Sequence, residues 1–410
     1  MLETVVSSAS AVVVSVLAFL VLLPLIVFIH ELGHFQTGRV FGIKIDAFSI
    51  GFGPTLKSWI DRHGTVWRIS AIPLGGYVKF FGDANAASAG TSGGNDGKSG
   101  TTQFGSQREA LEAALTEEEK TVCFHFRPVW QRAAVVAAGP IANFILAIVI
   151  LAGLLMAFGR MTVEPVVGTV MEGSAAAEAG FAPGDRIMEL NGRVVRSFDA
   201  MATRVKLASG DALTFTIERD GSTLDILATP RRVEQTDGFG NTVEAGQLGI
   251  TADPQFVTRQ RFGPFEAATE GTREVGRIIS VTGLYFARLL SFREDPRQIG
   301  GPVRIAQFAG QAASSGFMPA DNVTIFDRLQ TSAVNFLQVA ALISISVGFL
   351  NLLPVPVLDG GHLLFYGYEA LAGKPMNETV QNGLFRVGIA LVGTLIVFVV
   401  VNDVVRLFQS

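Results

Sequence analysis

The chain has 410 residues, of which 49% are hydrophobic and only 17% are charged. Its mean hydropathy of +0.41 exceeds what one water-soluble core requires, so we expect a membrane protein with room for one soluble module of roughly 100 residues. The formal net charge of −4 argues against a nucleic-acid partner, and the single cysteine, Cys123, excludes an intramolecular disulfide or a cysteine metal cluster.

The first predicted element is a membrane span. No charge interrupts the run from Ala11 to Ile29, which is long enough to cross most of the roughly 30 Å hydrocarbon core of a bilayer. The alternative is a cleaved signal peptide, which would have basic residues before the apolar run. The residues before this run include Glu3 but no lysine or arginine. Residues 1–36 are therefore predicted to form the first transmembrane helix.

The end of this helix carries the pattern His30-Glu31-Leu32-Gly33-His34. Residues four apart lie on one face of a helix, so His30 and His34 can bind a single metal ion. Glu31 can accept a proton from a water on that metal and pass it to the leaving amine. The alternative is a chance pattern at a helix end, but ionisable groups at membrane depth are costly and usually functional.

The loop after the first span divides into two parts. Residues 37–82 alternate apolar and polar side chains between glycines and prolines, which predicts a membrane-associated β element of short hairpin strands. Residues 83–132 predict a flexible linker, rich in small and polar residues from Asp83 to Gly105, and a solvated cytoplasmic helix from Gln107 to Lys120.

Three further spans are predicted at residues 133–159, 333–362 and 383–402, because each range contains a long uncharged run. Basic residues lie in the loop between the first two spans and none precedes the first span. This loop is therefore expected in the cytoplasm, and both termini outside. The alternating direction of the spans then brings the end of the third span to the same membrane face as His34.

A catalytic zinc ion requires a third protein ligand and an open position for water. Asp359, His362 and Glu369 lie near the end of the third span and are the candidates. Asp359 is favoured, because two prolines interrupt the helix before it and two glycines after it allow close approach of the backbone. Its alternative role is that of an ordinary helix-capping aspartate.

A soluble module is predicted at residues 164–253. It begins with a β-rich run, contains a hairpin signal at Asn191-Gly192 and continues with a helix from Phe198 to Leu207. Residues 260–332 have the pattern of amphipathic helices along a membrane surface. The predicted fold is a polytopic α-helical membrane protein with four transmembrane helices, a membrane-associated β-hairpin element and one soluble β/α domain.

Three motifs in matching order resemble the site-2 protease family of intramembrane zinc metalloproteases, in particular its bacterial regulator of sigma-E protease branch. The motifs are His30 to His34, Ala138 to Phe144 and Asn351 to His362. The resemblance implies that Zn²⁺ is bound by His30, His34 and Asp359, with Glu31 as the general base.

The same resemblance implies substrate-binding residues. Asn351 would contact the substrate backbone, or its amide would satisfy carbonyl groups freed by Pro354. Gly75, Gly76 and Tyr77 belong to the hairpin, whose exposed edge would pair with an unwound substrate strand. The alternative is a plain amphipathic hairpin that lies on the membrane.

The soluble module resembles a PDZ domain in the run from Gly173 to Ile187. Its peptide groove would lie between the strand at Val167 to Met171 and the helix at Phe198 to Leu207, and would bind peptide chain ends. The alternative is a size filter against bulky ectodomains. Better-known members of the branch carry tandem PDZ domains, whereas this sequence has one such signature.

The implied activity is hydrolysis of a peptide bond in or near the transmembrane segment of single-pass membrane proteins, for example an anti-sigma factor or signal-peptide remnants. The resemblance implies a multi-pass protein of the bacterial inner membrane, in contact with the lipid bilayer, with its site near the cytoplasmic face and its PDZ-like domain in the periplasm. A membrane metal transporter would need polar residues along several spans, but the second and fourth spans contain few besides Asn143 and Thr394. An inactive PDZ scaffold would not be expected to retain Glu31 together with both histidines and Asp359.

Overall fold

The computed structural model describes residues 2–83, 111–236, 242–291, 300–317 and 324–409. The predicted flexible linker lies outside these residues apart from Asp83, as do residues 107–110 of the predicted cytoplasmic helix. The chain forms two compact units, of which one comprises residues 1–154 and 265–410 and the other residues 155–264.

The described helices include four that are long and apolar enough to cross a membrane, namely α1, α3, α8 and α10 in the numbering that follows. In chain order the helices are α1 (Leu2–Val40), α2 (Glu117–Val122), α3 (Val129–Phe158), α4 (Ala175–Ala179), α5 (Phe198–Leu207), α6 (Pro264–Leu290), α7 (Pro302–Ser314), α8 (Ile325–Asn351), α9 (Asp359–Ala372) and α10 (Glu378–Gln409). Because α1 continues to Val40, the histidine pattern lies inside this helix.

The strands β1 (Ile45–Ile60) and β2 (Val66–Phe80) pair with each other in several short stretches, which agrees with the predicted element of short hairpin strands. Two stretches of β2 pair with the beginning of β1, so Phe48 lies between Trp67 and Val78. Phe48 is fully buried, and its ring centroid is 5.2 Å from that of Phe35 in α1. The hairpin therefore packs on α1 next to the histidine pattern.

The predicted third span at residues 333–362 consists of two helices, with a break before Asp359 where the two prolines were expected to interrupt the helix. Helix α8 ends at Asn351, residues 352–358 form turns and bends, and α9 starts at Asp359. Pro354 and Pro356 have no N–H for the hydrogen bonds of a helix, and proline disfavours the helical conformation of the residue before it. Asp359 thus begins a separate helix.

The predicted helix from Gln107 to Lys120 is interrupted in its described part. Residues 111–114 are helical, and Thr116 then starts the new helix α2. The backbone N–H of Glu119 donates to the Thr116 hydroxyl, while the Glu119 carboxylate accepts from the Thr116 N–H. These reciprocal bonds fix a helix start at Thr116, which ends the preceding helical turn.

Helices α6 and α7 lie in the region that was predicted to be amphipathic. On α6, Val275 is buried in an apolar cluster with Ala147 of α3 and Ile345 of α8. On α7, Gly310 packs so closely on α1 that a Cβ atom there would lie 2.6 Å from the Cα atom of Ser15. Each helix therefore buries one face against the spanning helices of its own unit.

The amino-terminal end of α7 is held by the last spanning helix. Asp403 of α10 is buried, and its carboxylate accepts hydrogen bonds from the backbone N–H groups of Gly301 and Val303, each at 3.1 Å. The first N–H groups of a helix have no partner within the helix. Gly301, the residue at the cap position, has no side chain to supply one, so Asp403 caps α7 from another helix.

Replacing Asp403 by alanine is expected to destabilise the protein, because buried N–H groups of α7 lose their acceptor. Loss of a helix cap costs about 0.5–2 kcal/mol, so the midpoint of heat denaturation in detergent should fall by a few degrees. Thr394→Ala in the same helix is the matched control, since the Thr394 hydroxyl donates to the Ala390 carbonyl of its own helix. An unchanged midpoint for Asp403→Ala would contradict the capping role.

The second unit consists mainly of strands. They are β3 (Arg160–Val163), β4 (Val167–Val170), β5 (Arg186–Leu190), β6 (Arg193–Val194), β7 (Leu213–Arg219), β8 (Ser222–Ala228), β9 (Arg231–Thr236), β10 (Thr242–Gln247), β11 (Ile250–Ala252) and β12 (Val257–Gln260). One sheet has the order β6-β5-β7-β8, and the pairs β9–β10, β4–β11 and β3–β12 form two-stranded antiparallel sheets.

This unit has its own apolar core, which includes the fully buried Ile187, Met201 and Phe215. Helix α5 has the predicted bounds, and the predicted hairpin turn at Asn191-Gly192 joins β5 to β6. Both turn residues have positive φ, of 50° and 69°, as such a turn requires. The predicted domain bounds of 164–253 are too narrow, because β3 pairs with β12 outside them.

Candidate metal centre

Three buried side chains of the first unit converge at one point. His30 and His34 lie one turn apart on α1, and Asp359 is the first residue of α9. The Nε2 atoms of the two histidines are 3.2 Å apart. Asp359 Oδ2 lies 3.2 Å from His30 Nε2 and 3.6 Å from His34 Nε2. Of the described residues, these three form the group whose spacing suits a metal ion.

The geometry of this triangle fits a tetrahedral ion. Ligand distances of about 2.1 Å in a tetrahedral Zn²⁺ site place neighbouring ligand atoms about 3.4 Å apart, close to the three observed separations. Asp359 Oδ2 is buried and accepts no hydrogen bond from any described residue, which is costly unless a cation satisfies it. Two imidazoles and one carboxylate are also a usual ligand set of catalytic zinc.

The outer nitrogen atoms of both histidines face polar groups of α3. His34 Nδ1 is 2.8 Å from the carbonyl oxygen of Val135, so Nδ1 carries the proton and Nε2 keeps its lone pair. His30 Nδ1 is 3.2 Å from Nδ2 of the buried Asn143, whose Oδ1 has no hydrogen-bond partner. A half-turn of this amide places Oδ1 to accept the Nδ1 proton of His30. Both Nε2 lone pairs are then available to a metal.

Asn143 contacts the candidate site, although the sequence patterns did not assign it a role. It belongs to the second motif of the resemblance, and it is a polar residue in an otherwise apolar span. Such residues within membrane helices usually have a functional partner, which was the available signal. The partner itself, His30 on another helix, is visible only in the structure.

Replacing Asn143 by leucine is expected to lower zinc affinity by about 10- to 100-fold, the usual cost of losing a hydrogen-bond partner of a ligand. Leucine has a similar size, so the change removes the contact to His30 without opening a large cavity. Competition with a chromophoric chelator measures the affinity. Ser344→Ala is the matched control. The Ser344 hydroxyl donates to the Asn143 backbone carbonyl at 2.8 Å, so this variant loses a contact of Asn143 that does not involve the side-chain amide, and its zinc affinity should be unchanged. Equal affinities of the two variants would contradict this role of the amide.

Glycine residues let α1 and α3 approach closely at the site. A Cβ atom at Gly33 would lie 2.8 Å from the carbonyl carbon of Ala138 and 2.9 Å from the Cβ atom of Ala142. A Cβ atom at Gly139 would lie 2.9 Å from His30 Cε1 and closer still to the His34 ring. Helix α3 therefore forms a wall of the site through its glycine backbone.

Glu31 is buried beneath strand β2. A Cβ atom at Gly76 would lie 3.2 Å from Glu31 Cγ and 2.8 Å from the Ser49 carbonyl oxygen, so only glycine fits between them. Gly75 has a φ of 124°, which side chains rarely allow, and Tyr77 stacks on Phe52 with ring centroids 6.4 Å apart. Of the three predicted substrate-binding residues in the hairpin, the structure thus brings Gly76 directly to Glu31.

The other candidate residues lie in different surroundings. Asn351 is the last residue of α8, where the turns toward Asp359 begin. Glu369 forms an ion pair with Arg132 at 2.6 Å and is not part of the metal-ligand group, and neither is His362. Asp359 is therefore the third candidate ligand that the structure brings to the two histidines.

Comparison with known proteins gives a family for the whole chain. Residues 18–395 match Peptidase family M50. A protein of Agrobacterium fabrum, whose name assigns it to the zinc metalloproteases, is 44% identical over 391 residues, 95% of each chain. A similarly named protein of Rhizobium meliloti is 43% identical over 392 residues, 95% of this chain and 96% of that one. The metalloprotease MmpA of Caulobacter vibrioides is 39% identical over 395 residues, 96% of each chain.

Among solved structures, the PDZ domain of an SdrC-like protein from Listeria monocytogenes matches 21% of this chain and 84% of its own, with 19% identity and a TM-score of 0.17. The family assignment rests on the sequence matches, which cover almost the entire chain. The chain therefore belongs to peptidase family M50, the site-2 protease family, and is a zinc metalloprotease.

Proposed function

We propose that this zinc metalloprotease hydrolyses a peptide bond within or near the transmembrane segment of single-pass membrane proteins. The observation that carries the proposal is the position of the metal triangle. His30 and His34 lie within the stretch Ala11–Val40 of α1, which is long and apolar enough to span a membrane. A bond that reaches these residues would have to enter the region occupied by the membrane helices.

The side chains of the site divide the chemistry between them. His30, His34 and Asp359 would hold Zn²⁺, which supplies polarisation of the scissile carbonyl and activation of water. Glu31 takes a proton from the attacking water as the new C–O bond forms, and gives it to the leaving nitrogen as the C–N bond breaks. The burial of Glu31 keeps bulk water away from this transfer.

Strand β2 is the proposed binding element for the substrate backbone. A transmembrane helix must unwind before its bonds can be cut, and its freed N–H and C=O groups then need partners. The segment from Gly76 to Phe80 pairs with β1 along one edge, and we assign its other edge to the substrate strand. Gly75, Gly76 and Tyr77 would lie along this strand, and Asn351 would contact the substrate backbone from the end of α8.

The location and substrates are proposed from charge and family. Basic residues follow α1 and precede α3, which favours the cytoplasmic face for this side of the membrane. The protein would reside in the bacterial inner membrane, with its active site near the cytoplasmic face and the PDZ-like domain in the periplasm. That domain would bind chain ends or exclude bulky ectodomains. The substrates would include single-pass proteins such as anti-sigma factors or signal-peptide remnants.

The test uses the purified full chain, reconstituted in lipid vesicles with a model single-pass substrate. The zinc-loaded protein should cut the substrate within or next to its transmembrane segment, as mapped by mass spectrometry of the products. Removal of zinc by a chelator should stop the cleavage, and added Zn²⁺ should restore it. A matched substrate whose transmembrane segment is polyleucine, and so unwinds less readily, should be cut more slowly. Cleavage confined to the water-exposed part of the substrate would refute the proposal.

A further inference from the structure

Helix α9, which carries Asp359, contacts the rest of its unit in its first turn and again toward its carboxyl end. Its first turn is buried from Asp359 to Gly361. Glu369, further along the same helix, forms an ion pair with Arg132 of α3, with Oε1 and Nη2 2.6 Å apart. These attachments are about 15 Å apart along a helix that rises 1.5 Å per residue. Two separated attachments fix the direction of the helix axis, whereas one would not.

The second attachment is mostly buried and has further contacts. The side chains of Arg132 and Glu369 are only 10% and 13% exposed, respectively. Arg132 Nε also donates to the Arg127 carbonyl oxygen at 3.0 Å, and the guanidinium lies 4.9 Å from the centre of the Tyr366 ring. Tyr366 packs in turn against the apolar cluster that contains Phe48. Arg132 therefore presents a charge of fixed position to α9.

Beyond its first turn, α9 contacts its surroundings through Tyr366, which packs against the apolar cluster, and through Glu369. Its side chains at Leu364, Tyr368 and Leu371 are exposed. The turns and bends of residues 352–358 separate α9 from α8, so the preceding helix does not continue into it. Without the ion pair, the second half of α9 keeps the apolar packing of Tyr366, which is not directional. The helix axis can then shift and move the Asp359 carboxylate relative to the histidines. Metal ligands need positions fixed to within about 0.5 Å.

We propose that Arg132 and Glu369 are positioning residues for the third zinc ligand. Their ion pair fixes the axis of α9, and the axis sets the distance from Asp359 to the Nε2 atoms of His30 and His34. The inference rests on the assignment of Asp359 as a ligand in the proposed function. Glu369, which the sequence offered as a candidate ligand, thus acts at a distance from the metal by fixing the axis of α9.

The test measures zinc affinity of the full chain in detergent by competition with a chromophoric chelator, without any substrate. Arg132→Gln and Glu369→Gln should each lower the affinity by about 10-fold or more. The double variant should lose no more than either single variant, because both substitutions remove the same ion pair. Arg277→Gln on α6 is the matched control, since it breaks an exposed ion pair with Glu274 and should leave zinc affinity unchanged.

A second readout separates positioning from general stability. Heat denaturation of the zinc-free variants should show a loss of stability that is too small to explain the fall in zinc affinity. In cleavage assays, kcat should change more than KM. Unchanged zinc affinity in the single variants, or losses that add in the double variant, would overturn the inference. If Asp359→Ala abolishes zinc binding while Glu369→Gln leaves it unchanged, this inference fails and the proposed function stands.

Discussion

Replacing Glu31 by glutamine is expected to abolish peptide-bond cleavage while zinc remains bound. Glutamine has the size of glutamate and fits under Gly76, but it cannot accept the proton of the attacking water. General acid–base catalysis contributes about 10²- to 10⁴-fold to the rate, so the cleavage rate should fall by about 100-fold or more. His30, His34 and Asp359 are unchanged, so the variant should still bind about one zinc ion.

The measurement combines single-turnover cleavage of a transmembrane substrate with metal analysis of the same sample. Glu117→Gln is the matched control, because it removes the same charge from a side chain on α2 that is 89% exposed. This control should cleave at the wild-type rate. Undiminished cleavage by Glu31→Gln would remove Glu31 from the mechanism. Loss of zinc from that variant would instead make Glu31 part of the metal site.

Replacing Gly139 by alanine is expected to disrupt the metal centre from the neighbouring helix. The added Cβ atom would lie 2.9 Å from His30 Cε1 and closer to the His34 ring, so at least one imidazole must move. The same segment of α3 holds the outer nitrogens of both histidines through Val135 and Asn143, which leaves the rings little freedom. An extra methyl group in a packed site costs about 1–3 kcal/mol. If this cost falls on the zinc-bound arrangement of the rings, zinc affinity should fall by roughly 5- to 150-fold.

Zinc affinity and heat denaturation together test this prediction. Gly153→Ala in the same helix is the matched control, because a Cβ atom there would meet no atom within 4 Å. It makes the same chemical change without contact and should bind zinc as the wild type does. If Gly139→Ala keeps wild-type zinc affinity, the α3 backbone is not the wall of the site.

The sequence alone determined the elements whose signals are local. The uncharged runs predicted the spanning helices, because about 20 apolar residues are needed to cross a bilayer. Alternation of apolar and polar residues predicted the β element, and Asn191-Gly192 predicted a turn that needs positive φ. The sequence did not determine the length of the hairpin strands or the pairing of β3 with β12, because both depend on partners far away in the chain.

The site divides in the same way. His30, Glu31 and His34 follow from spacing within one helix, so the sequence by itself determined them and the chemistry that they allow. It left three candidates for the third ligand, since residues more than 300 positions away reach the site only through the fold.

Tertiary structure alone decided among these candidates. It brings Asp359 to the two Nε2 atoms and commits Glu369 to Arg132. It also places Asn143 and Gly139 of α3 against the histidine rings, where Asn143 orients a candidate ligand and Gly139 leaves room for both rings. These contacts arise because α1, α3 and α9 pack together, and helix packing depends on surfaces that no single segment of sequence contains.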